Sequence, residues 1–122
     1  MKIHESAENY LETILILKKN KGLVRSIDIA NALNYSKPSV SIAMKNLREN
    51  GYIIVNPKGF IELADSGREI AERMYERHTF FSQWLIDIGV EPEKAVDDAC
   101  RIEHIISAES FEAIKSYVNS HQ

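Results

Sequence analysis

Cys100, Glu103 and His104 form a Cys-x-x-Glu-His cluster. Positions i, i+3 and i+4 of a helix are surface neighbours, so a helix here gathers a thiol, a carboxylate and an imidazole onto one face. Those groups span the soft, hard and borderline ligand types that bind divalent transition metals. Taken one at a time they have blander readings. Cys100 alone is a small hydrophobe, and Glu103 with His104 is an ordinary helix-surface pair.

A second constellation lies between Ser26 and Leu63, where the elements follow the order helix, turn, helix, two-stranded wing. Ile3, Ala7, Tyr10, Leu11, Ile14 and Leu17 recur at three- and four-residue steps, which predicts an amphipathic helix from about His4 to Lys19. Leu23-Val24-Arg25 reads as a short strand. Ser26 is a suitable N-cap for a short second helix whose apolar face is Ile27, Ile29, Ala30 and Leu33. After a turn at Asn34-Tyr35-Ser36, Pro38 occupies the first turn of a third helix, where its missing N–H costs nothing. That helix runs to about Asn50, and Gly51 stops it. The β-prone runs Tyr52–Val55 and Phe60–Leu63, joined by Asn56-Pro57-Lys58-Gly59, predict a hairpin.

The third helix divides as a DNA-reading helix must. Val40, Ala43, Met44 and Leu47 share one stripe, leaving Ser36, Lys37, Pro38, Ser39, Ile42, Lys45 and Asn46 outside. Arg25, Lys37, Lys45 and Lys58 are the expected phosphate clamps. Ser36, Pro38, Ser39 and Ile42 are better placed for base edges or thymine methyls. One recognition helix reads only a few base pairs, so a homodimer on a palindromic double-stranded operator is expected.

Downstream, Ser66-Gly67-Arg68-Glu69 reads as a capping box opening a long helix, with Ile70, Met74, Phe81, Leu85 and Ile88 toward the core. Gly89 ends it and Pro92 starts the helix that carries Cys100 to His104. Ser107 caps a last helix in which Phe111, Ile114 and Val118 are apolar. Trp84, Phe80 and Phe111 are candidates for the dimer interface.

The net charge of −3 at first argues against nucleic acid. Its distribution reverses that impression. Residues 1–60 carry nine basic and five acidic side chains, residues 61–122 six and thirteen, which suggests a basic DNA-facing lobe and an acidic lobe with another task. The 122 residues, 44% hydrophobic and 27% charged, suit one domain or two small helical lobes. No apolar run approaches the roughly 20 residues that cross a bilayer, and no signal-peptide pattern opens the chain. With a single cysteine, this places the protein in a reducing cytoplasm, away from membranes.

The stretch Ala99-Cys100-Arg101-Ile102-Glu103-His104, the segment Ser36-Lys37-Pro38-Ser39-Val40-Ser41 and the Arg77-His78 pair together resemble the diphtheria-toxin-repressor family. These are bacterial metal-dependent regulators of iron or manganese homeostasis. The likeness runs in order over about residues 5–118. It is to the short members, the manganese transport regulators, that do not carry an SH3-like third domain. The resemblance implies a mainly α fold, with a winged helix-turn-helix over residues 1–64 and a helical metal-binding and dimerisation domain over 65–122. By position, the family's metal ligands fall on Glu12, His78, Cys100, Glu103 and His104, with Asn9 a weak sixth.

Departures from the family pattern bear on the metal. Cys100 is as in the iron branch and Glu12 as in the manganese branch, while Asn9 matches neither the methionine of the first nor the aspartate of the second. A second, ancillary site would need a carboxylate and an imidazole where Ser82 and Val96 stand. A thiolate favours softer ions and two carboxylates pull the other way, so Fe(II) is expected first and Mn(II) second. The alternative is a winged-helix repressor that answers to an organic ligand or to oxidation of Cys100. An enzyme is not expected: the chain has no glycine-rich phosphate loop, no His-Glu-x-x-His and no nucleophile elbow.

Overall fold

A computed structural model describes residues 5–121. The helix start read at His4, and the place of Ile3 on its apolar face, lie outside the described residues. The elements in order are α1 (Glu5–Lys21), α2 (Ser26–Leu33), α3 (Lys37–Glu49), β1 (Ile53–Val55), β2 (Ile61–Leu63), α4 (Asp65–Asp87), α5 (Pro92–Ile105) and α6 (Ala108–Ser120). The fold is mainly α, a winged helix-turn-helix followed by helices. The chain divides into two compact units, Met1–Arg73 and Met74–Gln122, so the division falls within α4. Among the described residues no helix is long and apolar enough to cross a membrane.

In the first unit, α1 opens with Glu5 and Glu8 and closes with Lys18, Lys19 and Lys21, the polarity that opposes the helix dipole. The start of α2 corrects the expected cap. Arg25, not Ser26, is the N-cap, and the Asp28 carboxylate three residues on accepts the Arg25 N–H at 2.9 Å. Asn34, at φ 57°, closes α2 in the left-handed region that asparagine tolerates. α3 follows the expected design: the Ser36 hydroxyl accepts the Ser39 N–H at 3.3 Å, Pro38 lies in the first turn, and Gly51 at φ 80° follows the end.

Leu11, Ile14, Val24, Ile29, Val40 and Ile53 are among the residues fully buried in this unit's core. Two expectations fail here. Ile27 stands 37% exposed, off the buried face of α2. Leu23–Arg25 forms no strand, because a single bond, from the Ile61 N–H to the Val24 carbonyl at 2.7 Å, ties it to the wing. The wing itself is antiparallel, pairing Ile53 with Leu63 and Val55 with Ile61. Its turn is closed by Asn56, whose Oδ1 accepts the N–H groups of Lys58 and Phe60, both at 2.9 Å.

The opening of α4 is also not the expected capping box. Ser66 lies inside the helix, and its hydroxyl donates to the Gly51 carbonyl at 3.2 Å. Gly67 presses on the base of the wing: a Cβ there would stand 2.1 Å from the Tyr52 carbonyl oxygen.

In the second unit, Phe81, Ala99 and Phe111 form a buried cluster flanked by Phe80, Trp84 and Ile102. Ala95 and Ala99 are fully buried on one face of α5. Phe111 is 2% exposed, which removes it from the candidates for a dimer interface. Ile88 is corrected as well. It falls one residue past the end of α4, beside Gly89 at φ 108°, and is 62% exposed. Ser107 caps α6 as expected, accepting the Ser110 N–H at 3.0 Å.

Candidate metal centre and nucleic-acid interface

Three groups meet in the second unit. The His78 Nδ1 on α4 lies 3.1 Å from Glu103 Oε1 and 3.7 Å from Cys100 Sγ, both on α5. One ligand atom from each of the three lies within 4.8 Å of the others. The surroundings are graded: Cys100 is exposed, His78 half-buried, and Glu103 wholly buried. Glu103 Oε2 is buried without a hydrogen-bond partner. A buried carboxylate beside a thiol and an imidazole, with one oxygen left unpartnered, fits a cation, since the pull of positive charge would offset its lost hydration.

Electrostatics agree. The hydrogen bond to Cys100, then that to Glu103, push the His78 imidazole up to about 10, against the opposing effect of burial. Without metal, His78 therefore favours its protonated form at neutral pH.

His104 is half-buried on the same helix, and one of its ring nitrogens lies within 4.8 Å of a Glu103 carboxylate oxygen. Glu103 thus neighbours His78 and Cys100 as well as His104. Glu12 and Asn9 belong to the first unit. Glu12 is buried on α1, and Asn9 is half-buried, its carbonyl accepting the Thr13 hydroxyl at 2.8 Å. At the positions of the ancillary site, the Ser82 hydroxyl oxygen is buried and Val96 is 41% exposed.

A residue whose role was not read from the sequence fixes this arrangement. Arg77, 5% exposed, donates through Nη1 to the carbonyls of Glu103 at 3.0 Å and Ile106 at 2.8 Å. Glu103 lies in the last turn of α5 and Ile106 is its C-cap, where carbonyls have no intrahelical donors. The guanidinium also stands 5.5 Å from the Phe111 ring centre. One turn of α4 thereby holds the Glu103 main chain through Arg77 and its side chain through His78.

On the first unit, Ser36, Lys37, Pro38, Ser39, Ile42, Lys45 and Asn46 are all exposed along α3, Ile42 by 63%. Arg25 and Lys58 are exposed too. The Ser36 hydroxyl donates to Ser39 Oγ at 2.7 Å, so the two hydroxyls at the start of α3 are tied together. The carbon at the centre of the Arg25 guanidinium lies 4.4 Å over the Phe60 ring.

Two family models cover nearly the whole chain. Residues 2–60 match the iron dependent repressor, N-terminal DNA binding domain, and residues 64–122 the iron dependent repressor, metal binding and dimerisation domain. The chain belongs to the iron dependent repressor family. Within that family it is a metal-dependent transcriptional regulator, and its second domain is of the kind that takes a divalent metal. It is 34% identical to the HTH-type transcriptional regulator MntR of Lysinibacillus sphaericus (strain C3-41), over 93% of this chain and 81% of that one. It is 36% identical to the regulator of the same name from Bacillus pumilus (strain SAFR-032), over 93% and 78%. Among solved structures, a manganese-dependent transcriptional repressor in complex with manganese superposes with a TM-score of 0.84 at 25% identity, covering 93% of this chain and 52% of that one. The chain therefore spans about half the length of that structure.

Proposed function

We propose that this protein is a metal-activated repressor that binds a palindromic operator as a homodimer and so controls metal homeostasis in the cytoplasm. The observation that carries the reading is the meeting of His78, Cys100 and Glu103 in the second unit. Its partner is the exposed basic and hydroxyl face of α3 in the first. His78, Cys100, Glu103 and His104 are the residues we assign to the metal, and the family resemblance adds Glu12 and, more weakly, Asn9. A bound divalent cation supplies the positive charge that a cluster with two or three anionic donors needs. Metal occupancy that favours the DNA-binding state would raise operator affinity by roughly 5- to 150-fold, the usual size of such a coupling.

Mn(II) is the first candidate ion and Fe(II) the second, which reverses the order expected from Cys100. The manganese-dependent repressor among the similar structures supports Mn(II). The thiolate of Cys100 keeps Fe(II) in contention. We assign Lys37, Lys45, Arg25 and Lys58 to phosphate, and Ser36, Pro38, Ser39, Ile42 and Asn46 to the groove.

The test is duplex binding by the full chain under anaerobic conditions. A chelator is expected to abolish specific binding, and Mn(II) or Fe(II) to restore it. Binding that ignores the chelator would overturn metal activation. Restoration by Fe(II) but not Mn(II) would reverse the proposed order.

A further inference from the structure

The wing turn and the entry to α2 are stitched together at adjacent residues. Val24 accepts the Ile61 N–H at 2.7 Å, and the next side chain, Arg25, lays its guanidinium 4.4 Å over the ring of Phe60. The Arg25 main chain is fixed independently by the Asp28 carboxylate at 2.9 Å, itself bound at 2.8 Å by Lys21. On the wing side, Asn56 Oδ1 holds the N–H groups of Lys58 and Phe60, both at 2.9 Å, so the turn that carries Lys58 is set as well. An exposed arginine ordinarily samples many rotamers, and that freedom must be given up to grip a phosphate. Here an aromatic face and a fixed backbone have already removed much of it.

We propose that Phe60 is a positioning residue for DNA binding: its ring presents the Arg25 guanidinium, beside the Lys58 turn, as a preset clamp for the phosphate backbone. Phe60 touches no nucleic acid in this account and acts through Arg25. The proposal rests on the first unit binding DNA and extends it to a residue that charge and motif do not reveal. A planar guanidinium stacks on an aromatic face in a way that an ammonium does not, so the device also requires arginine rather than lysine at position 25.

The experiment is a double-mutant cycle on the full, Mn(II)-loaded protein binding random-sequence duplex DNA over a range of salt. Phe60→Leu keeps an apolar side chain but loses the ring. It is expected to weaken binding by about two- to five-fold, the scale of one exposed cation–π contact. In an Arg25→Ala background, Phe60→Leu is expected to change nothing further, whereas with Arg25 present Phe60→Tyr, which keeps the ring, is expected to bind as the wild type does. Circular dichroism and thermal melting of each variant check that the wing still folds. An equal loss from Phe60→Leu in both backgrounds would reduce Phe60 to a structural residue and overturn the proposal. If Arg25→Ala leaves affinity and salt dependence unchanged while Lys37→Ala and Lys45→Ala lower them, the Arg25 clamp is wrong and DNA reading by α3 stands. If none of the three matters, the DNA-binding face itself is misplaced.

Discussion

Arg77 donates to the main-chain carbonyl of Glu103 at 3.0 Å, while its neighbour His78 meets the same residue's carboxylate at 3.1 Å. Two consecutive residues of α4 thus secure both ends of one buried glutamate. Arg77→Met removes the donor to the Glu103 and Ile106 carbonyls and leaves them unpaired. Charged hydrogen bonds of this sort contribute roughly 1.5–3 kcal/mol each, so losing the two is expected to cost about 3–6 kcal/mol in urea unfolding. Metal affinity is expected to fall with it, because Glu103 loses its anchor. An affinity unchanged in a folded Arg77→Met protein would confine Arg77 to holding α5.

Gly67→Ala reverses an ordinary rule. Inside a helix, alanine is favoured over glycine by about 1 kcal/mol. At this position a Cβ would lie 2.1 Å from the Tyr52 carbonyl oxygen, a backbone atom that also accepts the Ala64 N–H at 3.0 Å and has little room to give. Overpacking of this kind costs about 1–3 kcal/mol and outweighs the propensity gain. The expected result is a lower urea midpoint, and a higher one would show that α4 does not press on the wing base.

Where sequence reading succeeded and where it failed has a physical pattern. The limits of α3 were legible because its signals are local: Ser36 at the cap, Pro38 in the first turn and Gly51 past the end. The start of α2 was misread because Ser26 is a good cap by type, whereas the acceptor in use is the Asp28 side chain three residues later. Helical spacing puts Cys100, Glu103 and His104 on one face. It cannot place His78, 22 residues from Cys100 and 25 from Glu103, since that depends on how α4 packs on α5. Only the family resemblance supplied His78. Arg77 and Phe60 went unread for the same reason, as their contacts are tertiary.

Asp28 gives a pH test. Hydrogen bonds from Lys21 and from the Arg25 N–H hold its carboxyl below the ordinary 3.8. A lowered value in the folded state means the contribution is fully present above 3.8 and is lost as pH falls through the lowered value. Asp28→Ala is expected to cost about 1 kcal/mol at neutral pH, the usual loss for a cap, and less in strong acid. Stability curves for the two proteins should converge at the acid end, and parallel curves would exclude the carboxylate as the cap.

The exposed cations of α3 should reveal themselves through salt. Each phosphate contact adds roughly −0.9 to the slope of log affinity against log salt. Lys37→Ala and Lys45→Ala should each flatten that slope by about one such step and weaken binding to every duplex alike. Pro38 and Ser39 substitutions should instead change sequence preference with the slope intact. Fluorescence anisotropy at several salt concentrations separates the two behaviours, and an unchanged slope in both lysine variants would remove them from the phosphate contacts.

The donor set around Glu103 makes the most specific prediction about metal. Cys100 Sγ is the only thiol in the chain, so Co(II) titrated into the wild type should produce a thiolate charge-transfer band in the near ultraviolet. Cys100→Ser should lose that band and shift preference toward harder ions such as Mn(II), because a hydroxyl is a harder donor than a thiolate. His104→Ala removes a further donor beside Glu103 and leaves His78, Cys100 and the Arg77 anchor in place. It is expected to abolish metal-dependent operator binding while the melting curve of the metal-free protein stays near that of the wild type. Three outcomes then separate the roles. A Co(II) band that survives Cys100→Ser would place the metal away from the thiol. A His104→Ala protein that answers to metal as the wild type does would remove His104 from the site. Loss of fold in His104→Ala would make its role structural.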